Sequence, residues 1–430
     1  MVSQPASALL SSPDRSVADD EPRGAPVDLD ALGASEARIA EAAATLRPVL
    51  ENALAHGVVH LHLEPGGRHW RLRYRHDDGL DETLIEEHAA LPEALSVLRE
   101  RLASIEPRPR SATAGFSTRL AGKAQLIELR TLRGPAGDTS QLTLHGHLIA
   151  PPRLDELCAE PARLAELRTL LARDGPGWLA IGAADEPGGA ALVHAIAQEF
   201  ASPDRKLWCI EPPWRAPLAR VTSLERSASV DTLHGIDADA VLLAASPSDD
   251  ALRCLAARAT ETLLVVQRCT ARRPSDVARR LLAIGLSPSW LALAMPAIVM
   301  RHRVRRLCPD CRTRVMSDTD EAAPIGSDEA GGATTEPCDV GGWLERSLHS
   351  RFRRGEGCGR CHGTAHEGVH DVLDVIPLDE ALRRALHGGD LDAAFVRLDR
   401  GRHLAARLSV LVASGEIGDD EAQRHLARRY

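Results

Sequence analysis

Lysine is almost missing from this chain of 430 residues: Lys123 and Lys206 are the only two, so nearly all of its 52 basic residues are arginine. Chemistry that needs a lysine ammonium is confined to those two positions. Aromatic residues make up only 3%, which leaves the cores to Leu, Ala and Val. No stretch approaches the roughly 18 apolar residues of a membrane-spanning helix. The first residues, MVSQPASALLSSPDRS, have neither the charged start nor the apolar middle of a signal peptide. A cytoplasmic location is therefore expected. The formal charge of −9 supplies no general attraction to nucleic acid or anionic lipid. What is present, 44% hydrophobic and 26% charged residues, describes a globular protein too long for one ordinary core.

Residues 1–30 are rich in Pro, Ser and Asp without periodicity, and read as a disordered tail. From 31 to 150 a helical pattern (36–56) gives way to alternating runs at 58–65, 70–75, 124–132 and 140–146, with a helix near 91–104. That is a small α+β domain. Between 151 and 302, strands at 178–182, 206–210, 239–245 and 262–267 alternate with helices at 162–173, 189–200, 249–259, 274–284 and 288–301. Such alternation predicts an α/β unit with a mostly parallel sheet covered by helices. A cysteine-bearing module occupies 303–376, and 377–430 reads as helices over 378–388, 392–412 and 418–429. Residues 315–342 hold seven acidic residues and no basic ones, and are expected to form a flexible loop. An acidic docking arm is the alternative.

Nine cysteines include two C-x-x-C pairs, CPDC at 308–311 and CGRC at 358–361. Each pair sets two thiolates on a tight knuckle, and two knuckles complete a tetrahedral zinc shell. Cys308, Cys311, Cys358 and Cys361 are the expected ligands. Four protein ligands leave no open position, so the zinc would be structural, stapling a module with little core of its own. Cys158, Cys209, Cys254, Cys269 and Cys338 are expected to be ordinary buried or surface residues.

The stretch GAADEPGGAAL (182–192) follows an apolar run and leads into a helical one, the place where nucleotide-binding proteins hold phosphate. Further along, RHRVRRLCPDC (301–311) resembles Q-R-L-V-R-x-L-C-P-x-C, and CGRCHGTAHEGVHDVLDVIPLDEALRRAL (358–386) resembles a second cysteine pair followed by G-x-x-x-[IV]-[HY]-E-[LV]-L and a helix. HLHLEP (60–65), RYRHDDG (73–79), IEPPWR (210–215) and DADAVLLAA (237–245) fall in order where further motifs of the same set belong. The chain resembles the type II secretion and type IV pilus assembly ATPases, the secretion-protein-E family, from about residue 36 to the end. The resemblance implies a RecA-like domain, ATP hydrolysis with Mg2+, hexameric rings beneath the inner membrane and action on a membrane platform protein.

The departures fall on the positions that carry that family's chemistry. Against the loop G-P-T-G-S-G-K-[ST], Gly182 keeps the first glycine, Gly188 stands at the lysine and Gly189 at the hydroxyl that holds Mg2+. Lysine there would neutralise the β- and γ-phosphates. Asp185 and Glu186 are carboxylates inside the loop, and no other lysine is near. Glu211 survives from the acidic box, but Pro212 and Arg215 replace its other acids. Ala245 stands at the Walker B glutamate, and Thr262 and Cys269 stand at the two histidines of the T-G-H-x-x-x-x-T-x-H box. A catalytically silent member is the expectation, and the loop gives no basis for ATP and Mg2+ as cofactors. Arg71, Arg73 and Arg75 are expected to form a solvated strand face or an inter-domain contact.

Three uses remain open. The first is a non-catalytic partner that joins rings of active subunits as a homo- or hetero-oligomer, or docks on the platform protein at the inner membrane. The second is a weak ATPase that depends on Glu211. The third is a zinc-containing nucleic-acid binder using Arg301–Arg306, which is disfavoured because the family carries the same basic run.

Overall fold

The computed structural model describes residues 27–314 and 352–427, apart from breaks at 56, 67–68, 76–79, 87–89, 106–112, 136, 146–151, 159, 173–174, 212–217, 226–229, 362 and 401. The acidic stretch 315–342, Cys338, Pro212 and Arg215 lie outside the described residues, as do residues 1–26 of the expected tail.

Residues 27–30 do not continue that tail. Val27–Asp28 (β1) pairs with a later strand, and Asp28 caps helix α1 (Leu29–Ser35) by accepting from the Asp30 and Ala31 amides. Leu29 is buried in the core, which gives this segment a reason to be ordered. α2 (Ala37–Ala55) then buries Ile39, Ala43, Leu46 and Leu50, residues at helical spacing, on one face. The strands are β2 (His60–Pro65), β3 (His69–Arg75), β4 (Leu80–Glu86), β5 (Thr113–Leu120), β6 (Lys123–Gly134) and β7 (Gly137–Leu144), with α3 (Ala90–Ile105) between β4 and β5. They form one sheet in the order β1-β5-β6-β7-β2-β3-β4, antiparallel except for β1. In β2, Leu61 and Leu63 face the helices while His60 and His62 alternate outward.

The second sheet has the order β10-β9-β11-β12-β8-β13-β16. Its strands are β8 (Gly177–Ala183), β9 (Leu207–Glu211), β10 (Val221–Glu225), β11 (Ala240–Leu243), β12 (Leu264–Thr270), β13 (Ala297–Leu307) and β16 (His366–Pro377). Every pairing is parallel except β13 with β16. β8 and β11 are buried along their whole length, as strands covered on both faces must be. One face packs against α4 (Leu154–Leu157), α5 (Pro161–Leu171) and α6 (Glu186–Phe200). The other carries α8 (Asp249–Arg258), α9 (Pro274–Ala283), α10 (Pro288–Ala294), α11 (Glu380–His387) and α12 (Leu391–Asp399). Between β10 and β11 lies the short α7 (Val230–His234).

Two helical expectations are corrected. The helix read over 288–301 stops at Ala294, because Pro296 disfavours helix in the residue before it. Ile298 and Val299 then pair with β8 on one side and β16 on the other. The helix read over 392–412 is two, α12 and α13 (Arg402–Ala413), with Arg400 leaving helical geometry between them. α13, α14 (Asp419–Ala427) and the turn between them bury Leu404, Leu408, Ile417 and Leu426 against Val304 and Val372 of β13 and β16.

β13 also runs through the boundary expected at 302/303 and delivers the chain directly into the first cysteine knuckle. A small pair, β14 (Thr313–Arg314) and β15 (Phe352–Arg353), closes the base of the segment between the two knuckles.

Candidate functional site

β8 lies between β12 and β13, and the chain turns at its C-terminal end into α6. Asp185 is the N-cap of α6: its side chain accepts from the Gly188 amide, and it is buried. A carboxylate there satisfies an amide left over at the helix start and complements the positive end of the helix dipole. The Glu186 side chain lies outside the described residues.

Two arginines reach this turn from the flanking strands. Arg268 of β12 is in register with Ile181, so it projects on the α6 face. It donates through Nε to the Ala244 carbonyl at 2.8 Å, and through Nη1 and Nη2 to Thr270 and Ser246, each at 3.3 Å. Its stem crosses Gly189 so closely that a β-carbon there would lie 2.6 Å from Arg268 Cγ. Any side chain at 189 would force the Arg268 stem to shift. Arg301 of β13, in register with Ala183, donates to the Gly188 carbonyl and pairs with Asp371 of β16 at 2.7 Å. A β-carbon on Gly188 would meet Asp185 Oδ1 at 2.8 Å and Arg301 Nη1 at 3.1 Å. The turn is thus packed by side chains: the Gly188 amide is taken by Asp185, its carbonyl by the Arg301 guanidinium, and Gly189 is covered by the methylene stem of Arg268.

The other residues singled out by sequence divide. Gly182 is buried beside Cys269 in the neighbouring strand, facing Met300 and Val277, on the sheet face away from α6. Burial pushes the Cys269 thiol up to about 12, so it stays protonated. Ala245 follows β11 and donates its amide to Ile210. Glu211 ends β9, buried, and accepts from Ser223 at 3.1 Å. Thr262 is exposed ahead of β12, at the opposite end of that strand from Cys269, and takes no part in the turn. Neither lysine is at the loop: Lys123 opens β6, and Lys206 pairs with Asp237 at 3.2 Å.

Arg268 and Asp371 were missed as site residues, and Arg301 was read only as part of the basic run 301–306, not as a neighbour of the turn. Arg268 sits at an unspecified position of the histidine-box pattern, and only strand register reveals that it faces α6.

The four knuckle cysteines come together. Cys308–Cys358, Cys311–Cys361 and Cys358–Cys361 sulfur separations are each 3.8 Å. A tetrahedral ion with metal–sulfur bonds of about 2.3 Å has edges of about 3.8 Å. The group could therefore hold a metal ion. Burial raises the Cys361 thiol, but amide donors from Cys358 and Ala365, both at 3.2 Å, outweigh it and bring it down to about 6. Burial and the neighbouring thiols push Cys311 up to about 12. A cation bound among thiols this close would favour their ionised form.

The basic run 301–306 is largely turned inward. Arg301 pairs with Asp371, and Arg305 is buried against Glu421 at 3.2 Å. In the N-terminal sheet, Arg73 bridges Glu64 and Glu82 at 3.4 and 2.7 Å, so it is engaged within its own sheet. Among the described residues no helix is long and apolar enough to cross a membrane.

Residues 253–422 match the family model "Type II/IV secretion system protein". The chain is 22% identical over 361 residues to type II secretion system protein E of Klebsiella pneumoniae, covering 82% of this chain and 69% of that protein. It is 20% identical over 354 residues to the type IV pilus assembly ATPase PilB of Thermus thermophilus, covering 80% of this chain and 38% of PilB. Among solved structures, the Legionella pneumophila ATPase DotB superposes with a TM-score of 0.53 at 11% identity, covering 88% of this chain and 94% of that one. The second sheet is accordingly of the RecA-like type found in secretion ATPases. By sequence, with the fold in agreement, the chain is similar to the type II secretion and type IV pilus assembly ATPases, and its residues 253–422 match the Type II/IV secretion system protein model.

Proposed function

We propose that this protein is a non-catalytic member of its family, acting as a partner or regulator of the ATPases that drive type II secretion or type IV pilus assembly. The observation that carries this reading is the occupied turn after β8: Asp185 takes the Gly188 amide while Arg268 lies over Gly189. A phosphate loop works through free amides, a lysine and a hydroxyl that holds Mg2+. Here the amide has an internal carboxylate, the lysine and hydroxyl positions are glycine, and Ala245 offers no carboxylate to organise a metal or water.

Zn2+ suits the four-thiolate set better than harder cations, which prefer oxygen. Cys308, Cys311, Cys358 and Cys361 would hold it in a closed shell, so its contribution is to tie β13 and β16 beyond the sheet. The protein would work in the cytoplasm against the inner membrane, co-assembling with active ATPase subunits or resting on their platform protein.

The test is affinity purification of the tagged full chain from its own host, paired with an ATP turnover assay. Recovery of secretion or pilus components with no Mg2+-dependent turnover is the expected result. Turnover that disappears in Glu211→Gln would contradict it and favour the weak-ATPase alternative.

A further inference from the structure

One turn and a half beyond the occupied loop, α6 carries His194, fully buried and facing β9. On β9, Cys209 and Glu211 are two residues apart, so both project on that same face. One donor atom from each of the three lies within 4.8 Å of the other two, and His194 Nε2 is 3.8 Å from Glu211 Oε2. All three residues are at most 2% exposed.

We propose that His194, Cys209 and Glu211 form a second metal site that takes Zn2+ or a similar thiophilic divalent ion. Imidazole, thiolate and carboxylate are the three ligand types that tetrahedral zinc accepts. With neutral imidazole, the thiolate and carboxylate balance the two charges of the ion, so the site is neutral overall. Neutrality matters in an apolar core, where uncompensated charge is strongly disfavoured. Tetrahedral donors bonded at about 2.0–2.3 Å lie about 3.3–3.8 Å apart. From separations of up to 4.8 Å the set needs at most a contraction of about 1.5 Å to close, within reach of side-chain rotation. Ser223 is in register with Cys209 on the adjacent strand and donates to Glu211 Oε1, which orients the carboxylate as an outer hydrogen bond does in metal sites. This assigns Cys209 a role beyond the ordinary core residue expected from sequence. The ion would pin α6 to β9, the two elements that border the loop. The proposal does not depend on whether that loop binds nucleotide.

The alternative account of the same cluster is a His–Glu ion pair beside an inert thiol. Zinc content of the zinc-replete, dialysed full chain separates the two, read beside zinc K-edge absorption of the same sample. The expected result is two ions per chain, falling by one in Cys209→Ala, with a mixed shell of sulfur near 2.3 Å and nitrogen or oxygen near 2.0–2.1 Å. An unchanged zinc count in Cys209→Ala overturns the proposal. If that variant fails to fold, the wild-type spectrum decides: a shell of sulfur alone overturns it.

Discussion

Asp185 does for α6 what a bound anion would do, and the consequence is measurable at a single residue. Asp185→Ala removes an N-cap and should lower stability by about 1 kcal/mol, read from the urea midpoint at unchanged m-value. A loss of nothing would mean that the carboxylate is not seated on the Gly188 amide. Arg305 and Glu421 make a stronger case. Glu421 is fully buried, and although burial alone would raise its pKa, hydrogen bonding to His425 and the Arg305 charge hold it well below the usual carboxylate range. Arg305→Ala takes from that carboxylate its buried guanidinium, leaving the Arg305 amide, His425 and Arg424 as partners, and should cost about 3 kcal/mol, with no accompanying change specific to nucleic-acid binding.

The pH dependence follows from the same neighbourhood. Burial, then the Arg305 charge, lowers His366 from 6.5 to about 4. Between those values the unfolded chain binds the proton and the folded chain does not, so stability present above about pH 6.5 is lost on acidification toward pH 4. Glu421, depressed from 4.5, contributes stability that is present above its ordinary value and lost only in stronger acid. Denaturation midpoints from pH 7 to pH 4 should therefore fall, and His366→Asn should flatten the upper part of that curve. An equally steep curve in the variant would remove His366 from the account. Lysine's absence from the loop could be read directly from the letters. That Arg268 fills the space could not, because the direction of a side chain on β12 depends on its register with β8.

At the scale of elements, what could be read from sequence followed periodicity. α2, β2 and the strand–helix alternation from β8 to α9 match their patterns because one face, or both, is apolar at a regular spacing. β13 did not, since LALAMPAIVM is a continuous apolar run that suits a buried strand as well as a helix. Its assignment as a strand depends on pairing with β16, more than sixty residues later in the chain, and only the fold brings the two together. The edge strands β4 and β10, and β5 beside the two-residue edge strand β1, carry weak alternation and gain their pairing from neighbours, so they were missed. The cysteine knuckles were the opposite case: C-x-x-C spacing alone placed four sulfurs on one center. Stripping metal with a chelator should unfold the knuckles while leaving the parallel sheet in place. Hydrogen exchange would then rise in 308–314 and 352–365 and stay low in β8 and β11. Unchanged protection at the knuckles would argue that the thiols are held without an ion.

For the whole molecule, the scaffold has the fold of secretion ATPases and the turn after β8 is packed by its own side chains, from which we propose a protein that binds partners rather than hydrolyses ATP. Its family relatives, the parallel sheet and the four-cysteine group define that scaffold, while Asp185, Arg268 and Arg301 define the departure. The claim is tested most directly by calorimetric titration of a non-hydrolysable ATP analogue into the zinc-loaded full chain, with and without Mg2+. The account predicts no binding heat in either condition. Saturable binding in the micromolar range that requires Mg2+ would contradict it, because it would mean that Asp185 and the two arginines yield the turn to a nucleotide.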